Sequence, residues 1–443
     1  MTNTLLKQAI PPITDKMIHW RRDFHKFAES GWVEFRTSTL VADELDRLGY
    51  TLALGRDVIK AESRMGVPSE DILLKNEQRA LEQGAIKKWM PYFSGGFTGL
   101  VATLDTGRPG PTVGIRVDMD ALDLQESHEC SHRPAEQGFQ SVNHNMTHAC
   151  GHDGHTSIGL GVAHLLMANK AQLSGRIKLI FQPAEEGTRG AKSMADAGVV
   201  DDVDYFMAIH LGTGVPNGEV VCGSDTFLAT TKFNVDFHGF PAHAGGNPEL
   251  GKNALLAAAQ ATIGLHSISR HSAGASRINV GVIDAGTGRN VIAQHAHLKV
   301  ESRGETNEIN QYMFERSKEV IAGAAAMYDV SYEIDIVGAA YRSVPSPSWV
   351  QFIEDKAKQL GCFEKVVDRQ VDGAAGSEDA TYMMERVKEK GGEATYIIFG
   401  TELSAGHHND KFDFQEDVLT NAALLLSVVT ASVKDYTKEH QKD

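Results

Sequence analysis

Eight consecutive residues, 148–155, carry five side chains of the kinds that bind metal ions. Imidazole and thiolate are ligands that zinc and other borderline ions prefer in proteins. Glycines within the segment let the backbone turn tightly enough for nearby side chains to converge. The segment therefore predicts a metal site. Its five donors are His148, Cys150, His152, Asp153 and His155.

Three further groups of metal-binding side chains lie downstream. Glu185 and Glu186 form an adjacent carboxylate pair, and His210 ends an apolar run. His407 and His408 are adjacent near the C-terminus. In such a carboxylate pair, one member can bind a metal ion while the other stays free as a general base for an attacking water. Four groups in series predict a catalytic metal site rather than a histidine-rich loop.

Two other patterns resemble known motifs but are interpreted as structural. Residues 128–132 fit H-E-x-x-H, a zinc motif that works only on a helix, and Pro134 with polar flanks disfavours one. Residues 246–253 match a phosphate-binding P-loop at every position but the last, where Asn253 replaces the required Ser or Thr. We expect a polar loop at the first and a helix cap at the second.

The bulk composition limits the class of protein. A chain of 443 residues exceeds a single hydrophobic core, so two domains are expected. The net charge of −15 argues against nucleic-acid or anionic-membrane partners. The sequence has no run of 18 apolar residues and no signal-peptide pattern, and its four cysteines are scattered. We expect a cytoplasmic protein without a membrane span.

Strands alternate with helices in the first half of the chain, which indicates a mostly parallel sheet covered on both faces. Each candidate ligand follows the carboxyl end of a predicted strand, the edge at which such sheets bind ligands. Asp118 and Asp120 lie at the same edge. The predicted strands are 97–104, 111–117, 176–181 and 205–209, with helices opening near Thr156 and at 191–197.

A different order follows in residues 227–339, where β-α-β-β-α-β indicates a ferredoxin-like module. Alternation resumes after a proline-marked junction at 343–347. The predicted fold is an α/β catalytic domain made of residues 1–226 and 340–443, interrupted by an α+β ferredoxin-like domain. The elements of that module are strand 229–238, helix 250–269, strands 277–284 and 294–302, helix 307–327 and strand 329–337.

Several motifs together resemble the M20 metallopeptidase family, in its amidohydrolase branch of aminoacylases, hippurate hydrolases and auxin-conjugate hydrolases. The resemblance runs from about residue 10 to the C-terminus. It implies a catalytic domain with an inserted lid and dimerisation domain. The matching segments are Arg116–Leu122, His148–His155, Phe181–Glu186, His210, Phe240–Ala244, Asn290–Ile292 and Ser377–Asp379.

The resemblance also implies a site for two divalent metal ions, either Mn²⁺ or Zn²⁺. Glu185 is then the general base, and Asp118 and Asp120 orient the imidazoles of ligands. Cys150 bridges the two ions. The remaining implied ligands are His152, Glu186, His210 and His408, with His407 as the competitor for the last position.

In the inserted domain, His243 and Asn290 match family positions that reach the substrate, often across a dimer. His243 is then expected to stabilise the oxyanion. The implied reaction is hydrolysis of p-aminobenzoyl-glutamate to p-aminobenzoate and glutamate. Two alternatives stay open: a general N-acyl-amino-acid deacylase, or one subunit of a hydrolase that is inactive without its partner. The chain is expected as a homodimer or as a heterodimer with a related B subunit.

An acyl-glutamate substrate carries carboxylates that need a positive clamp, and Arg303 and Arg289 are the candidates because a guanidinium matches carboxylate geometry. We expect Arg303→Ala to raise KM strongly for glutamyl amides. Steady-state kinetics on a glutamyl amide measure this. An unchanged KM would remove Arg303 from the clamp.

Overall fold

The computed structural model describes residues 2–370 and 376–440. This part of the chain divides into two compact units. The first contains residues 2–226, 343–370 and 379–440, and the second contains residues 227–342 and 376–378.

The described residues form twelve strands. They are β1 (Thr51–Leu54), β2 (Leu100–Asp105), β3 (Thr112–Asp118), β4 (Arg176–Gln182), β5 (Tyr205–Leu211), β6 (Glu219–Ser224), β7 (Ala229–His238), β8 (Ser276–Ala285), β9 (His295–Gly304), β10 (Ser331–Ala340), β11 (Lys365–Gln370) and β12 (Glu393–Phe399).

The same residues form thirteen α-helices. They are α1 (Thr2–Ala9), α2 (Pro11–Lys26), α3 (Phe35–Leu48), α4 (Glu70–Glu82), α5 (Met90–Phe93), α6 (Arg133–Glu136), α7 (His152–Ala168), α8 (Ala191–Asp196), α9 (Ala254–His266), α10 (Asn307–Met327), α11 (Pro347–Leu360), α12 (Ala380–Glu389) and α13 (Val418–His440).

The first unit is built on an eight-stranded sheet in the order β1-β2-β4-β3-β5-β12-β6-β11. β3 runs parallel to β4 and β5, β5 to β12, and β6 to β11. The pairs β1–β2, β2–β4 and β6–β12 are antiparallel. The predicted α/β class is confirmed, and the sheet is mixed. β3 is buried at every position because both faces of the sheet are covered.

Helix α7 is the central helix of the first unit and packs against α2 and α13. It begins at His152, earlier than the predicted start near Thr156. His152 and His155 therefore lie in the first helical turn, while His148 precedes it. Glycines permit its close packing: a Cβ at Gly154 would come within 2.6 Å of Phe414, and one at Gly161 within 2.3 Å of the Met17 sulfur.

One helix in the described part of the chain is long and apolar enough, by composition, to cross a membrane. This is the stretch Val418–Tyr436 of α13, with a mean hydropathy of 1.3. Within the protein, however, 78% of it is buried. Its hydropathy is therefore that of a core helix, which packs against α7.

The second unit is a four-stranded antiparallel sheet in the order β10-β7-β9-β8. Along the chain its elements follow the predicted order β-α-β-β-α-β. Phe233, Val235 and Phe237 of β7 are buried, as are Leu298 and Val300 of β9. These residues form a core with α9 and α10, so the alternate residues of each strand lie on the opposite face of the sheet.

Phe206 of β5 is fully buried, so its removal tests the core of the first unit. Phe206→Ala should lower the free energy of unfolding by about 3–5 kcal/mol, since a large cavity is left behind. Leu74→Ala is the control because that side chain is 54% exposed, and its effect should stay within roughly 0.5 kcal/mol. Chemical denaturation of both variants measures the difference. Equal losses of unfolding free energy in the two variants would show that Phe206 is not part of a packed core.

Candidate active site

The candidate site lies at the carboxyl edge of the central parallel strands of the first unit. β3 ends at Asp118, which is paired in register with Gln182 at the end of β4. His210 lies near the end of β5, and α7 begins at His152. The loops that follow these strands meet at one edge, where open α/β sheets bind ligands.

Two groups of donor side chains at this edge share Cys150. One contains His152 and His210, and the other contains Glu186 and His408. Within each group the ligand atoms all lie within 4.8 Å of one another. Cys150 Sγ is 3.4 Å from His210 Nε2, and His408 Nε2 is 3.5 Å from Glu186 Oε1. Two neighbouring cation positions with a common sulfur ligand fit this arrangement.

Several of these donors are buried without a hydrogen bond. Both ring nitrogens of His152 and Oε1 of Glu186 are in this state. Burial raises the pKa of the Cys150 thiol well above its ordinary value and lowers the pKa of His210 well below its own. His210 therefore presents an uncharged lone pair, while the thiol needs a nearby cation to release its proton. The donor set fits divalent metal ions.

The contacts of the imidazoles with groups outside the donor cluster show which nitrogen of each ring faces the site. His152 Nδ1 lies 3.3 Å from Asp120 Oδ1, and His210 Nδ1 donates to the carbonyl oxygen of Leu211 at 2.8 Å. Nε2 of each ring is left for a ligand, a common arrangement at metal sites. Asp118 instead bonds His155 Nδ1 at 2.5 Å. Nε2 of that histidine accepts the backbone N–H of Leu211 at 3.0 Å.

The loop that carries the carboxylate pair is strained and is held by two buried acidic side chains. Ala184 has a φ of 52°, in the left-handed region that non-glycine residues rarely adopt. Its N–H donates to Glu34 Oε1 at 2.8 Å. The N–H groups of Glu185 and Glu186 donate to the two oxygens of Asp120 at 2.9 and 3.0 Å. Asp120 thus orients both the candidate base and a candidate ligand.

Arg116 lies inside the sheet and joins several side chains at this edge, a role that the sequence patterns did not reveal. Its buried guanidinium donates to Gln182 Oε1 at 2.7 Å, to Asp118 Oδ2 at 2.8 Å and to Asp379 Oδ1 at 3.4 Å. Asp379 Oδ2 accepts the N–H of Gly190 at 2.9 Å, at the far end of the strained loop. An arginine inside a continuous apolar strand was the sequence signal that could have revealed this role.

The carboxyl groups around the site have pKa values shifted in opposite directions. Burial opposes ionisation of Asp118, but His152, His155 and Arg116 outweigh it and hold the pKa of Asp118 well below its usual value. Burial, with Asp120 nearby, raises the pKa of Glu34 to about 8. Glu34 is therefore mostly protonated at neutral pH, whereas Asp118 is ionised.

Glu185 lies next to the donor groups. Its side chain is largely buried, and Oε2 is 3.9 Å from His152 Nε2. It forms a further donor group with His152 and Glu186. The structure therefore brings the carboxylate pair and the histidine cluster together, although they come from different loops.

The two C-terminal histidines occupy different environments. His408 approaches Cys150 and Glu186, and its N–H donates to the carbonyl oxygen of Ala149 at 2.8 Å. His407 Nε2 donates to the carbonyl oxygen of Leu211 at 3.1 Å, and burial lowers the pKa of His407 to about 4. His408 thus lies among the donors, while His407 bonds the backbone at the end of β5.

A buried charged network lies behind α7 and includes part of the H-E-x-x-H segment. His25 bonds Asp153 Oδ2 through Nδ1 at 2.8 Å and Glu126 Oε1 through Nε2 at 2.9 Å. Glu126 also accepts from His132 Nε2 at 2.9 Å. Residues 128–132 form no helix, and His132 is engaged with Glu126, so the segment is the expected polar loop.

In the second unit, His243 is held in a defined tautomer. Its Nδ1 accepts the N–H groups of Gly245 at 3.1 Å and Gly246 at 2.9 Å, which leaves Nε2 as the hydrogen-bond donor. The carbonyl oxygen of Asn290 accepts the N–H of Ala244 at 3.0 Å. His243, Arg289 and Asn290 therefore belong to one pair of adjoining loops.

Arg303 lies at the other end of the second-unit sheet. The loops that hold His243 begin beside His295, and β9 rises about 3.3 Å per residue, so Arg303 is roughly 26 Å along the strand. Its Nε donates to Glu301 Oε2 at 3.0 Å. Within this unit, the structure groups Arg289 rather than Arg303 with His243. Asn253 caps α9, as expected, by accepting the N–H of Leu256 at 3.2 Å.

Comparison with known proteins identifies the class. Residues 114–431 match the model of peptidase family M20/M25/M40, and the chain belongs to this family. It is 60% identical to the A subunit of p-aminobenzoyl-glutamate hydrolase from Escherichia coli (strain K12), covering 95% of this chain and 97% of that one. It is 61% identical to indole-3-acetyl-aspartic acid hydrolase of Enterobacter agglomerans, covering 96% and 97%.

A solved structure has the same fold. The aminobenzoyl-glutamate utilization protein from Klebsiella pneumoniae is 56% identical, with a TM-score of 0.85 over 96% of this chain and 98% of that one. The family and the fold class predicted from the motifs are confirmed. The chain is a metal-dependent amidohydrolase.

The network behind α7 makes a pH-dependent contribution to stability. Burial lowers the pKa of His25, but hydrogen bonds to Asp153 and Glu126 outweigh it and raise the pKa to about 9. A raised pKa gives a stabilisation that is fully present below the unfolded value of 6.5 and is lost as the pH rises through about 9.

His25→Gln should therefore destabilise the protein most at pH 6.5 and progressively less up to pH values above 9. Denaturant unfolding of both proteins across this range measures the difference. His19→Gln, at an exposed position, is the control and should show no such trend. A difference between wild type and His25→Gln that stays constant with pH would contradict a charged His25.

Proposed function

We propose that the protein hydrolyses p-aminobenzoyl-glutamate to p-aminobenzoate and glutamate with the help of two divalent metal ions. The observation that carries the proposal is the pair of donor groups sharing Cys150 beside Glu185. The relative of 60% identity, named for this reaction, supports the choice of substrate. Residues 1–226 and 340–443 are proposed as the catalytic domain, and residues 227–339 as the lid.

The proposed metal ligands come from four loops of the first unit. When bound, the ions supply Lewis acidity to the amide carbonyl and lower the pKa of water. A thiolate favours Zn²⁺ on grounds of softness, whereas carboxylate and imidazole also suit Mn²⁺, so either ion is accommodated. The proposed ligands are Cys150, His152, Glu186, His210 and His408.

Glu185 is proposed as the general base. It takes a proton from the attacking water and later delivers that proton to the departing amine nitrogen, so the carboxylate is regenerated. Asp120 positions it by accepting the adjacent N–H groups of Glu185 and Glu186. The strained φ of Ala184 is maintained by the hydrogen bond to Glu34 and contributes to the same positioning.

Two side chains of the second unit are proposed to act on the substrate. His243 carries the donor that an oxyanion needs, because the N–H groups of Gly245 and Gly246 occupy Nδ1 and leave Nε2–H free to donate. Asn290 adjoins it through the backbone. For the substrate carboxylates, Arg289 is the stronger candidate because it is exposed beside His243, whereas Arg303 already pairs with Glu301.

An interface with another chain is proposed on the second unit. β8 is an edge strand with exposed Val282 and Ile283, and Ile263 of α9 is 68% exposed. An open strand edge beside apolar side chains is suited to pairing with another chain. The occupant is a second copy or a related B subunit, since the Escherichia coli relative is named as the A subunit of its enzyme. The proposed location of the enzyme is the cytoplasm.

A second substrate is favoured by a specific observation. The relative of 61% identity is named for indole-3-acetyl-aspartic acid, which is also an amide of an acidic amino acid with an aromatic acyl group. The two candidates, and a general deacylase of the hippurate type, differ in the acyl group and in the length of the acidic side chain. Values of kcat/KM for these amides and for p-aminobenzoyl-aspartate would rank them.

Release of p-aminobenzoate by the purified chain with Mn²⁺ or Zn²⁺ tests the proposed reaction. Glu185→Gln should reduce kcat by about 10²–10⁴-fold because the glutamine side chain cannot take a proton from the attacking water. The metal content should be unchanged, since Glu185 is not a proposed ligand. Glu402→Gln, at an exposed position, is the matched control and should keep wild-type activity.

Wild-type kcat in Glu185→Gln would exclude the proposed base. If the wild-type chain binds metal but turns over none of the amides, the missing element is a partner subunit or a different acyl group. Adding a related B subunit to the same assay separates these two cases.

A further inference from the structure

One guanidinium belongs to the loop that carries the carboxylate pair. Arg189 follows Glu186 in this loop, and its Nε donates to the carbonyl oxygen of Glu186 at 2.7 Å. Its Nη1 donates to the carbonyl oxygen of Gly66 at 3.3 Å. These two hydrogen bonds hold the planar group against the backbone of the loop that contains the proposed base and one proposed metal ligand.

The space for this guanidinium depends on a glycine. A Cβ at Gly31 would lie 2.4 Å from Nη2 of Arg189 and 3.0 Å from Ala184, so a larger residue there would displace the guanidinium. The neighbouring Ser30 forms a β-bridge with Ala121, in the loop that follows β3. Arg189 therefore lies at the same carboxyl edge of the sheet as the donor groups.

The positive charge of Arg189 has no acidic partner within residues 2–370 and 376–440. Its hydrogen bonds go to backbone carbonyl oxygens, which carry no net charge. The side chain is partly exposed. A guanidinium has five N–H donors, so donors on Nη1 and Nη2 remain for an anion. The planar arrangement of these donors matches the two oxygens of a carboxylate.

We propose that Arg189 binds a carboxylate of the substrate and so sets a preference for amides of acidic amino acids. The proposal rests on the proposed hydrolysis of p-aminobenzoyl-glutamate. That substrate carries an α-carboxylate and a side-chain carboxylate, and one arginine supplies only one positive charge. Arg189 adds a guanidinium of the first unit to the candidate Arg289 of the second.

The position of Arg189 connects substrate recognition with catalysis. Asp120 accepts the N–H groups of Glu185 and Glu186, and Arg189 bonds the carbonyl oxygen of Glu186. A carboxylate bound by Arg189 is therefore held at a fixed place relative to the proposed base Glu185. Because orientation of the amide against the base contributes to the rate, loss of this contact should lower kcat as well as raise KM.

Three substrates test the assignment: p-aminobenzoyl-glutamate and its two monoamides, in which a carboxamide replaces either the side-chain or the α-carboxylate. Arg189→Met should lower kcat/KM for p-aminobenzoyl-glutamate by about 10–100-fold, the effect of losing a charge-assisted hydrogen bond. The variant should leave kcat/KM nearly unchanged for the monoamide that lacks the carboxylate bound by Arg189. The insensitive monoamide therefore identifies that carboxylate.

Arg108→Met is the matched control. The Arg108 guanidinium also donates to backbone carbonyl oxygens, those of Leu173 and Lys170, but it precedes β3 at the opposite edge of the sheet. This variant should keep wild-type kcat/KM for all three substrates. Arg189→Lys keeps a positive charge without the planar group, so its loss of kcat/KM should be smaller than that of Arg189→Met.

Binding measured without turnover separates this proposal from the proposed reaction. In a Glu185→Gln background, Arg189→Met should raise the Kd of p-aminobenzoyl-glutamate, measured by calorimetry. If the wild-type chain hydrolyses none of the three amides but this Kd rises, the proposed reaction fails and the role of Arg189 stands. An unchanged Kd, or an equal fall in kcat/KM for all three substrates in both Arg189 variants, would overturn that role.

Discussion

One buried guanidinium holds the carboxyl edge of the central sheet together. Arg116 sits inside β3 and bonds Gln182, Asp118 and Asp379, whose chain segments are far apart in sequence. Removing one partner from a buried ion pair leaves an uncompensated charge, which is strongly destabilising. From Asp118 the connection passes through His155 to the backbone N–H of Leu211, the last residue of β5. The geometry of the metal-binding donors therefore depends on a residue that is not itself among them.

The charges around the donors are largely balanced before any ion binds. Arg116 offsets part of the negative charge of Asp118 and Asp379, while Glu34, with a pKa raised to about 8, is mostly neutral. His210 is kept uncharged by burial. Both ring nitrogens of His152 and Oε1 of Glu186 are buried without a hydrogen bond, which is costly, and binding of a divalent ion would remove that cost.

The sequence was sufficient for elements whose determinants are local. The bounds of α10 agree with the prediction because Thr306 caps its first turn and the apolar spacing is regular. The start of α7 was placed too late, since Gly151 turns the chain with a φ of 90° and allows the helix to begin at His152. The orientation of the carboxylate pair could not be predicted, because it depends on contacts between residues distant in sequence. These are the hydrogen bonds of Glu34 to Ala184 and of Asp120 to Glu185 and Glu186.

The span of the buried network has a consequence for biosynthesis. Arg21 bonds Asp413 across 392 positions, and the proposed ligand His408 approaches Cys150 and Glu186 from a segment far from both in sequence. Contacts of such long range form late, because loop closure must precede them. During translation the first donors leave the ribosome without their partners. The proposed metal centre is therefore complete only when the segment that carries His408 has folded against Cys150 and Glu186, so full metal binding follows that folding step.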